Sequence, residues 1–411
     1  MTSSVTQALS DYVAQHHDAQ VAFLRRLVQT PSDNPPGDCA QHAVVAAELL
    51  EQLGFTVERH VVPEEVVRRN GMISATNLIV RHSFGPGPTV ALNAHGDVVP
   101  PGLGWVHDPY GGEIVDGRMY GRGVAVSKSD FATYAYALKA LIDLKLPLAG
   151  TVELHFTYDE EVGGLIGPGW LLEQGLTKPD YAISAGFSYG IVTAHNGCLH
   201  LEVRVRGKQA HAAMPKTGHD ALEASTAILA ALYAHRRTLD ERQSAMPGIT
   251  SPSLNVGLIK GGINTNVVPD LVTLRLDRRL IPEENGAEVE RELRQVIEQA
   301  SQGLPGITVE VERILLAEPL KPGAGTERLV QAIKAYADPI QGEDIKAHGV
   351  PLYTDARLYA AAGVPTVLYG AGPRTILDAN AHAGNENLKL DDLRKATIIV
   401  AGALSDLLTA S

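Results

Sequence analysis

With 411 residues, 45% of them hydrophobic, the chain can bury large cores and divide into roughly two or three domains, while a formal charge of -12 disfavours nucleic acid or anionic membrane as a partner. No apolar run reaches the about 18 residues of a membrane-spanning helix, and the start M-T-S-S-V-T-Q-A-L-S lacks the charged and apolar regions of a secretory signal. Two cysteines, Cys39 and Cys198, make no disulfide framework and no zinc knuckle, so a soluble, cytoplasmic globular protein is expected.

Residues 3 to 30 place Val13, Val21, Leu24, Leu27 and Val28 at near-helical spacing before the breaker P-S-D-N-P-P-G, which predicts a first helix. A second, over 40 to 53, stops at Gly54. Asn77 to Arg81 and Thr89 to Ala94 are predicted as neighbouring strands joined by the turn F-G-P-G-P. A glycine-rich crossing leads to a helix over 131 to 144. The next strand, 151 to 157, runs straight into Asp159, Glu160 and Glu161 with Gly163 and Gly164 behind them, and a strand over 180 to 184 ends at A-G-F-S-Y-G.

From about residue 198 the order changes to strand 199–206, helix 219–235, strands 253–260 and 270–277, helix 284–301 and strand 307–313. That β-α-β-β-α-β order is the split unit of a ferredoxin-like domain. The expected organisation is therefore an α/β domain with a mixed sheet, residues 1–197 and 314–411, interrupted by an inserted domain over 198–313. After the insertion come a helix over 326–336, T-D-A-R at 354–357, a strand over 365–369, the loop G-A-G-P, then A-N-A-H-A-G-N-E and a closing helix.

Chemistry-bearing residues collect at predicted strand ends. His95 and Asp97 leave an apolar, β-prone strand at a Gly- and Pro-bounded turn, the place where open α/β sheets hold ligands. An imidazole there can bind a metal through one nitrogen while a carboxylate orients the ring; alone, the same pair is equally a turn with an ion pair. Glu160 and Glu161 repel unless a cation lies between them, which suits one base and one ligand, although a solvated acidic turn has the same composition. His382 and Glu386 read in isolation as loop residues.

Taken in order, these stretches resemble the M20 family of metallopeptidases and amidohydrolases. The carriers are H-G-D-V-V-P (95–100), Y-G-R-G (120–123), D-E-E-V-G-G (159–164), G-K-Q-A-H-A-A-M-P-K-T-G (207–218), G-G-I-N-T-N-V-V-P-D (261–270), D-R-R (277–279), Y-T-D-A-R (353–357), G-A-G-P (370–373) and H-A-G-N-E (382–386). The resemblance covers nearly the whole chain. It implies a catalytic α/β domain with an inserted ferredoxin-like lid that dimerises. It implies His95, Glu161 and His382 as metal ligands, Asp97 as the residue orienting His95, and Glu160 as general base. It further implies that His211 stabilises an oxyanion and that Asn266, Arg279, Gly370 and Gly372 contact a substrate carboxylate.

Two family positions are broken. Val126 stands where the family has an aspartate bridging two metals, and Gly186 where it has an acidic ligand. Neither side chain binds a cation, so the expectation is a reduced site with one divalent metal, zinc, or none, because two histidines and a carboxylate suffice for a catalytic zinc. Asp130 is either a substitute ligand or a carboxylate favouring a helix start. Ser188 in G-x-S-x-G, and Ser127 with Lys128, are the alternative nucleophiles. The leading expectation is a homodimeric hydrolase cleaving the amide of a small N-acyl amino acid or dipeptide-like substrate that carries a carboxylate. The alternatives are a metal-independent enzyme using Glu160, His211 and residues 127–130, or a silent binding protein, which would have no use for a base.

Overall fold

Alternation along one strand sets the layers of the larger unit. In a computed structural model describing residues 2–409, Val90, Leu92 and Ala94 enter the main core while Ala91 joins Ala182, Tyr359 and Val364 in a separate cluster, as the two-residue period of a strand requires. Burial on both faces explains why this stretch is almost continuously apolar.

The elements of the first stretch are α1 (Thr2–Val28), α2 (Ala40–Gln52), β1 (Val57–Val61), α3 (Glu64–Arg69), β2 (Thr76–Gly85) and β3 (Thr89–His95). They are followed by β4 (Glu113–Val115), β5 (Arg118–Tyr120), α4 (Lys128–Asp143), β6 (Gly150–Thr157), α5 (Pro168–Glu173), β7 (Tyr181–Ser184) and β8 (Ile191–His195). Next come β9 (Gly197–Arg206), α6 (Ala221–Thr238), β10 (Ser253–Gly261), β11 (Leu271–Leu280), α7 (Gly286–Ser301) and β12 (Thr308–Ala317). The chain closes with α8 (Thr326–Gln341), β13 (Ala347–Val350), α9 (Ala356–Ala361), β14 (Thr366–Leu368), β15 (Asn387–Lys389) and α10 (Leu390–Leu407).

The chain divides into two compact units. The first holds Met1–Thr193, Pro322–His348 and Thr354–Ser411; the second holds Ala194–Lys321 and Gly349–Tyr353. These limits lie outside the expected 198–313, because β8 and β9 run on almost without a break and the short segment 349–353 packs with the second unit.

In the first unit the sheet order is β1-β2-β6-β3-β7-β14-β8-β13. The expected pairing of β2 with β3 does not occur. β6 lies between them, antiparallel to β2 and parallel to β3. A turn of Gly and Pro marks where a chain reverses but not which strand fills the gap, and here the strand arriving after α4 does. Helices α1, α4, α8 and α10 pack together over one face, with α5 and α9 on the other.

The second unit is a four-stranded antiparallel sheet, β10-β11-β9-β12, carrying α6 and α7. Leu199, Leu201, Val203 and Val205 of β9 face the core shared with Ile228, Leu232, Leu293 and Ile297. The intervening Cys198, His200, Glu202 and Arg204 therefore occupy the opposite face. Among the described residues no helix is long and apolar enough to cross a membrane.

Candidate active site

β3, β6, β7 and β14 are parallel neighbours, so their C-terminal ends open along one edge. His95 is the last residue of β3, paired with Thr157 at the end of β6, and the acidic triplet follows two residues later. Glu160 and Glu161 begin a single 3-10 turn, Glu160–Val162. Asp97, fully buried, holds that turn: Oδ1 accepts from the Glu160 N–H at 3.3 Å and Oδ2 from the Glu161 N–H at 3.2 Å, while Asn34 donates to Oδ2 at 2.9 Å.

The His95 ring is set by its own turn. Nδ1 lies 2.9 Å from the Asp97 carbonyl and 3.4 Å from Asp97 Oδ1, which keeps the proton on Nδ1 and leaves Nε2 facing Glu160 Oε2 at 3.9 Å. Ligand atoms of His95, Glu160 and Glu161 all lie within 4.8 Å of one another. His382 reaches Glu161, Nε2 to Oε1, at 3.4 Å, from a backbone with φ of 61°. A nitrogen and an oxygen sharing one tetrahedral zinc at bonds of about 2.0–2.1 Å stand about 3.3 Å apart. Glu161 thus meets His95 in one cluster and His382 in a separate contact, and His382 stands outside the group whose ligand atoms lie together.

The Val126 side chain carries no ligand atom, and Gly186 supplies only backbone: its N–H donates to Asp130 Oδ2 at 3.2 Å. Asp130 does lie in the first turn of α4, as expected, but its carboxylate is buried and also accepts from the Ala371 N–H at 2.7 Å. It ties two loops together and is spoken for by backbone donors, so it is not a substitute ligand. The Gly370 backbone passes so close that a Cβ there would lie 2.2 Å from Asp130 Oδ1, and a Cβ on Gly372 would lie 2.4 Å from the Gly186 carbonyl. These glycines are required first by loop packing.

Burial raises the Glu160 carboxyl well above the usual range, with Glu161, Asp355 and Asp97 adding to it against the pull of His95. Burial opposes charge on His95, yet Glu160, Asp97 and Glu161 outweigh it and hold the imidazole well above its ordinary value. Such mutual shifts mark groups poised to exchange a proton or to share a cation.

The alternative nucleophiles fall away on geometry. Ser127 Oγ donates to the His95 carbonyl at 3.0 Å and accepts the His95 N–H at 3.0 Å. Lys128, buried and depressed to about 8 by burial, donates to the carbonyls of Leu27 and Thr30 at 3.2 and 3.1 Å. Ser188 is fully buried and donates to the Gly370 carbonyl at 2.8 Å. Ser127, Lys128 and Ser188 thus each hold a backbone carbonyl in this structure.

Other residues of the motifs act behind the site, in roles the sequence had not suggested. Arg122 and Glu386 form a buried ion pair at 2.7 Å; Glu386 Oε1 also accepts from the Ala125 N–H at 3.1 Å, and Arg122 donates to the Pro101 carbonyl at 2.9 Å. Three loops are thereby fixed at once. Arg357 donates to the Gly163 carbonyl, bracing the turn that carries Glu160.

The remaining expected residues lie in the second unit. His211 is exposed and its Nδ1 accepts the Ala213 N–H at 3.0 Å, so Nε2 carries the proton. Its neighbour Ala212 donates to the Asn266 carbonyl at 3.0 Å, which brings the His211 and Asn266 loops side by side. Arg279 is already engaged: it pairs with Asp277 at 2.9 and 3.0 Å and lies over the Tyr353 ring at 5.7 Å.

Residues 91–406 match the model of peptidase family M20/M25/M40. The chain belongs to this family of amidohydrolases and peptidases. It is 28% identical over 384 residues to a succinyl-diaminopimelate desuccinylase of Acidiphilium cryptum, covering 91% of this chain and 94% of that one. It is 30% identical over 329 residues to an acetylornithine deacetylase of Pectobacterium carotovorum, covering 76% and 81%. Among solved structures, a Bacillus subtilis protein, YXEP, described as a dinuclear metal binding peptidase, superposes with a TM-score of 0.68 at 17% identity over 96% of this chain and 99% of that one.

Proposed function

We propose that this M20 protein hydrolyses the amide bond of a small, carboxylate-bearing N-acyl amino acid or dipeptide-like substrate at a centre holding one zinc ion per chain. The observation that carries the proposal is the meeting of His95, Glu160 and Glu161 within 4.8 Å at the ends of β3 and β6. The names of its relatives, a desuccinylase and a deacetylase, support an acylated amino acid as substrate.

His95, Glu161 and His382 would hold the ion. When bound, it supplies a Lewis acid that polarises an amide carbonyl and acidifies water. Glu160, facing His95 and not needed as a ligand, removes a proton from the attacking water and returns it to the departing amine, so that water and amide yield a carboxylate and an amine. Asp97 keeps both glutamates and the His95 ring in place. His211, with its proton on Nε2, contributes a donor to the developing oxyanion, and Asn266 and the Gly370–Gly372 loop recognise the substrate. Arg279 enters only through its grip on Asp277. Dimerisation through the second unit and a cytoplasmic address belong to the same proposal; the exposed Leu258 and Ile259 on edge strand β10 support the former.

The test is turnover of a panel of N-acetyl and N-succinyl amino acids and dipeptides by zinc-loaded protein and its Glu160→Gln variant. Cleavage by the parent, with turnover lost and ligand binding kept in the variant, supports the proposal. No cleavage of any member by the parent contradicts it.

A further inference from the structure

A second imidazole–carboxylate cluster lies in the second unit and shares none of the residues proposed to hold the hydrolytic ion. Cys198 and His200 are two apart on β9, and His200 stands directly across from Asp277 on β11, with Cys198 across from Arg279. All four point to the sheet face opposite the core, because Leu199 and Leu201 take the buried face. Cys198 is fully buried at the base, while His200 and Asp277 keep 33% and 31% of their side chains exposed and form its open side.

We propose that Cys198, His200 and Asp277 form a second metal site, for zinc or a dication of similar softness, distinct from the hydrolytic centre. Their ligand atoms lie within 4.8 Å of one another. Cys198 Sγ is 3.1 Å from His200 Nε2, His200 Nε2 is 3.2 Å from Asp277 Oδ2, and Cys198 Sγ is 4.0 Å from Asp277 Oδ1. Around one tetrahedral zinc, with bonds of about 2.3 Å to sulfur and about 2.0–2.1 Å to nitrogen and oxygen, such ligand pairs stand about 3.3–3.6 Å apart. Shifts of a few tenths of an ångström close the triangle. One nitrogen, Nε2, already faces both other donors, as a metal-binding ring must, and the open side leaves room for water as fourth ligand.

The donor set selects the ion. A thiolate beside an imidazole and one carboxylate prefers zinc or cobalt over magnesium or calcium, whose sites are built from oxygen. Arg279 supplies the outer support that ligating carboxylates usually have, gripping Asp277 through Nε and Nη2 while lying against Tyr353. Binding displaces the thiol and imidazolium protons to the buffer. Held this way, the ion cross-links β9 to β11 near one end of the sheet.

Cobalt tests this without reference to activity, since only a thiolate ligand produces a sulfur-to-cobalt charge-transfer band in the near ultraviolet. Metal-stripped full-length protein is titrated with Co(II). A band saturating at about one equivalent per chain, absent in Cys198→Ser and His200→Gln but retained in His382→Ala and in Cys39→Ser, is the expected result. His382→Ala separates this site from the hydrolytic centre, so the two proposals fail independently. Absence of the band in the parent at saturating Co(II), or its persistence in Cys198→Ser, overturns the assignment. If Cys198→Ser fails to fold, the parent and His200→Gln titrations decide it.

Discussion

His95 ends a strand and His200 sits within one, each beside carboxylates, and the fold assembles their surroundings in opposite ways. Around His95 the partners come from loops at the ends of parallel strands, and each is held by a buried backing residue: Asp97 under Glu160 and Glu161, Glu386 and Arg122 behind the 122–126 loop. Around His200 the partners come from cross-strand register alone, with Asp277 placed opposite by the antiparallel ladder. A site built on loops can exchange side chains without disturbing the sheet beneath it. One built on register changes only when the strands do.

The largest effect expected from breaking the first arrangement is chemical. Glu160→Gln should lower kcat by about 10²–10⁴-fold with little change in KM or melting temperature, measured by steady-state kinetics and calorimetry, and should leave cobalt binding at Cys198 intact. Arg122→Ala comes next. It strands the buried Glu386 carboxylate and should cost about 3–5 kcal/mol of stability, read from denaturant unfolding. Gly370→Ala, which drives a Cβ into Asp130, should cost about 1–3 kcal/mol by overpacking, and Gly372→Ala a similar amount.

The smallest effect is a slope. Burial raises Asp130 to about 7, above its value in the unfolded chain. The folded protein therefore binds more protons than the unfolded one between about pH 4 and 7, and stability falls as pH rises through that window. Asp130→Asn should flatten the decline in melting temperature over this range, since the amide oxygen still accepts one backbone N–H and carries no charge. An unchanged slope would mean that Asp130 stays ionised in the fold.

Much of the first site was legible because its residues sit in short, contiguous stretches. H-G-D at 95–97 and D-E-E at 159–161 each follow an apolar strand, and a strand end in an α/β sheet is a predictable address. What pairing decides was hidden. β6 inserting between β2 and β3 cannot be read from the turn that joins them, and Asp130 reads as a helix-start carboxylate until its contacts with Gly186 and Ala371 are seen. The pairing of Arg279 with Asp277 is likewise a matter of side-chain geometry that the sequence does not carry, although the two are two residues apart. The Cys198 cluster was the least visible of all, with its acid 79 residues from its thiol and joined only by register.

The claim that most needs testing is the proposal that one ion serves the hydrolytic centre, with Val126 and Gly186 at the positions of two acidic ligands. The decisive measurement is the zinc content of Cys198→Ser protein, in which the second cluster is disabled. About one equivalent per chain, falling to none when His382→Ala is added, is the predicted result. Two equivalents, or none in the Cys198→Ser protein itself, would contradict the account.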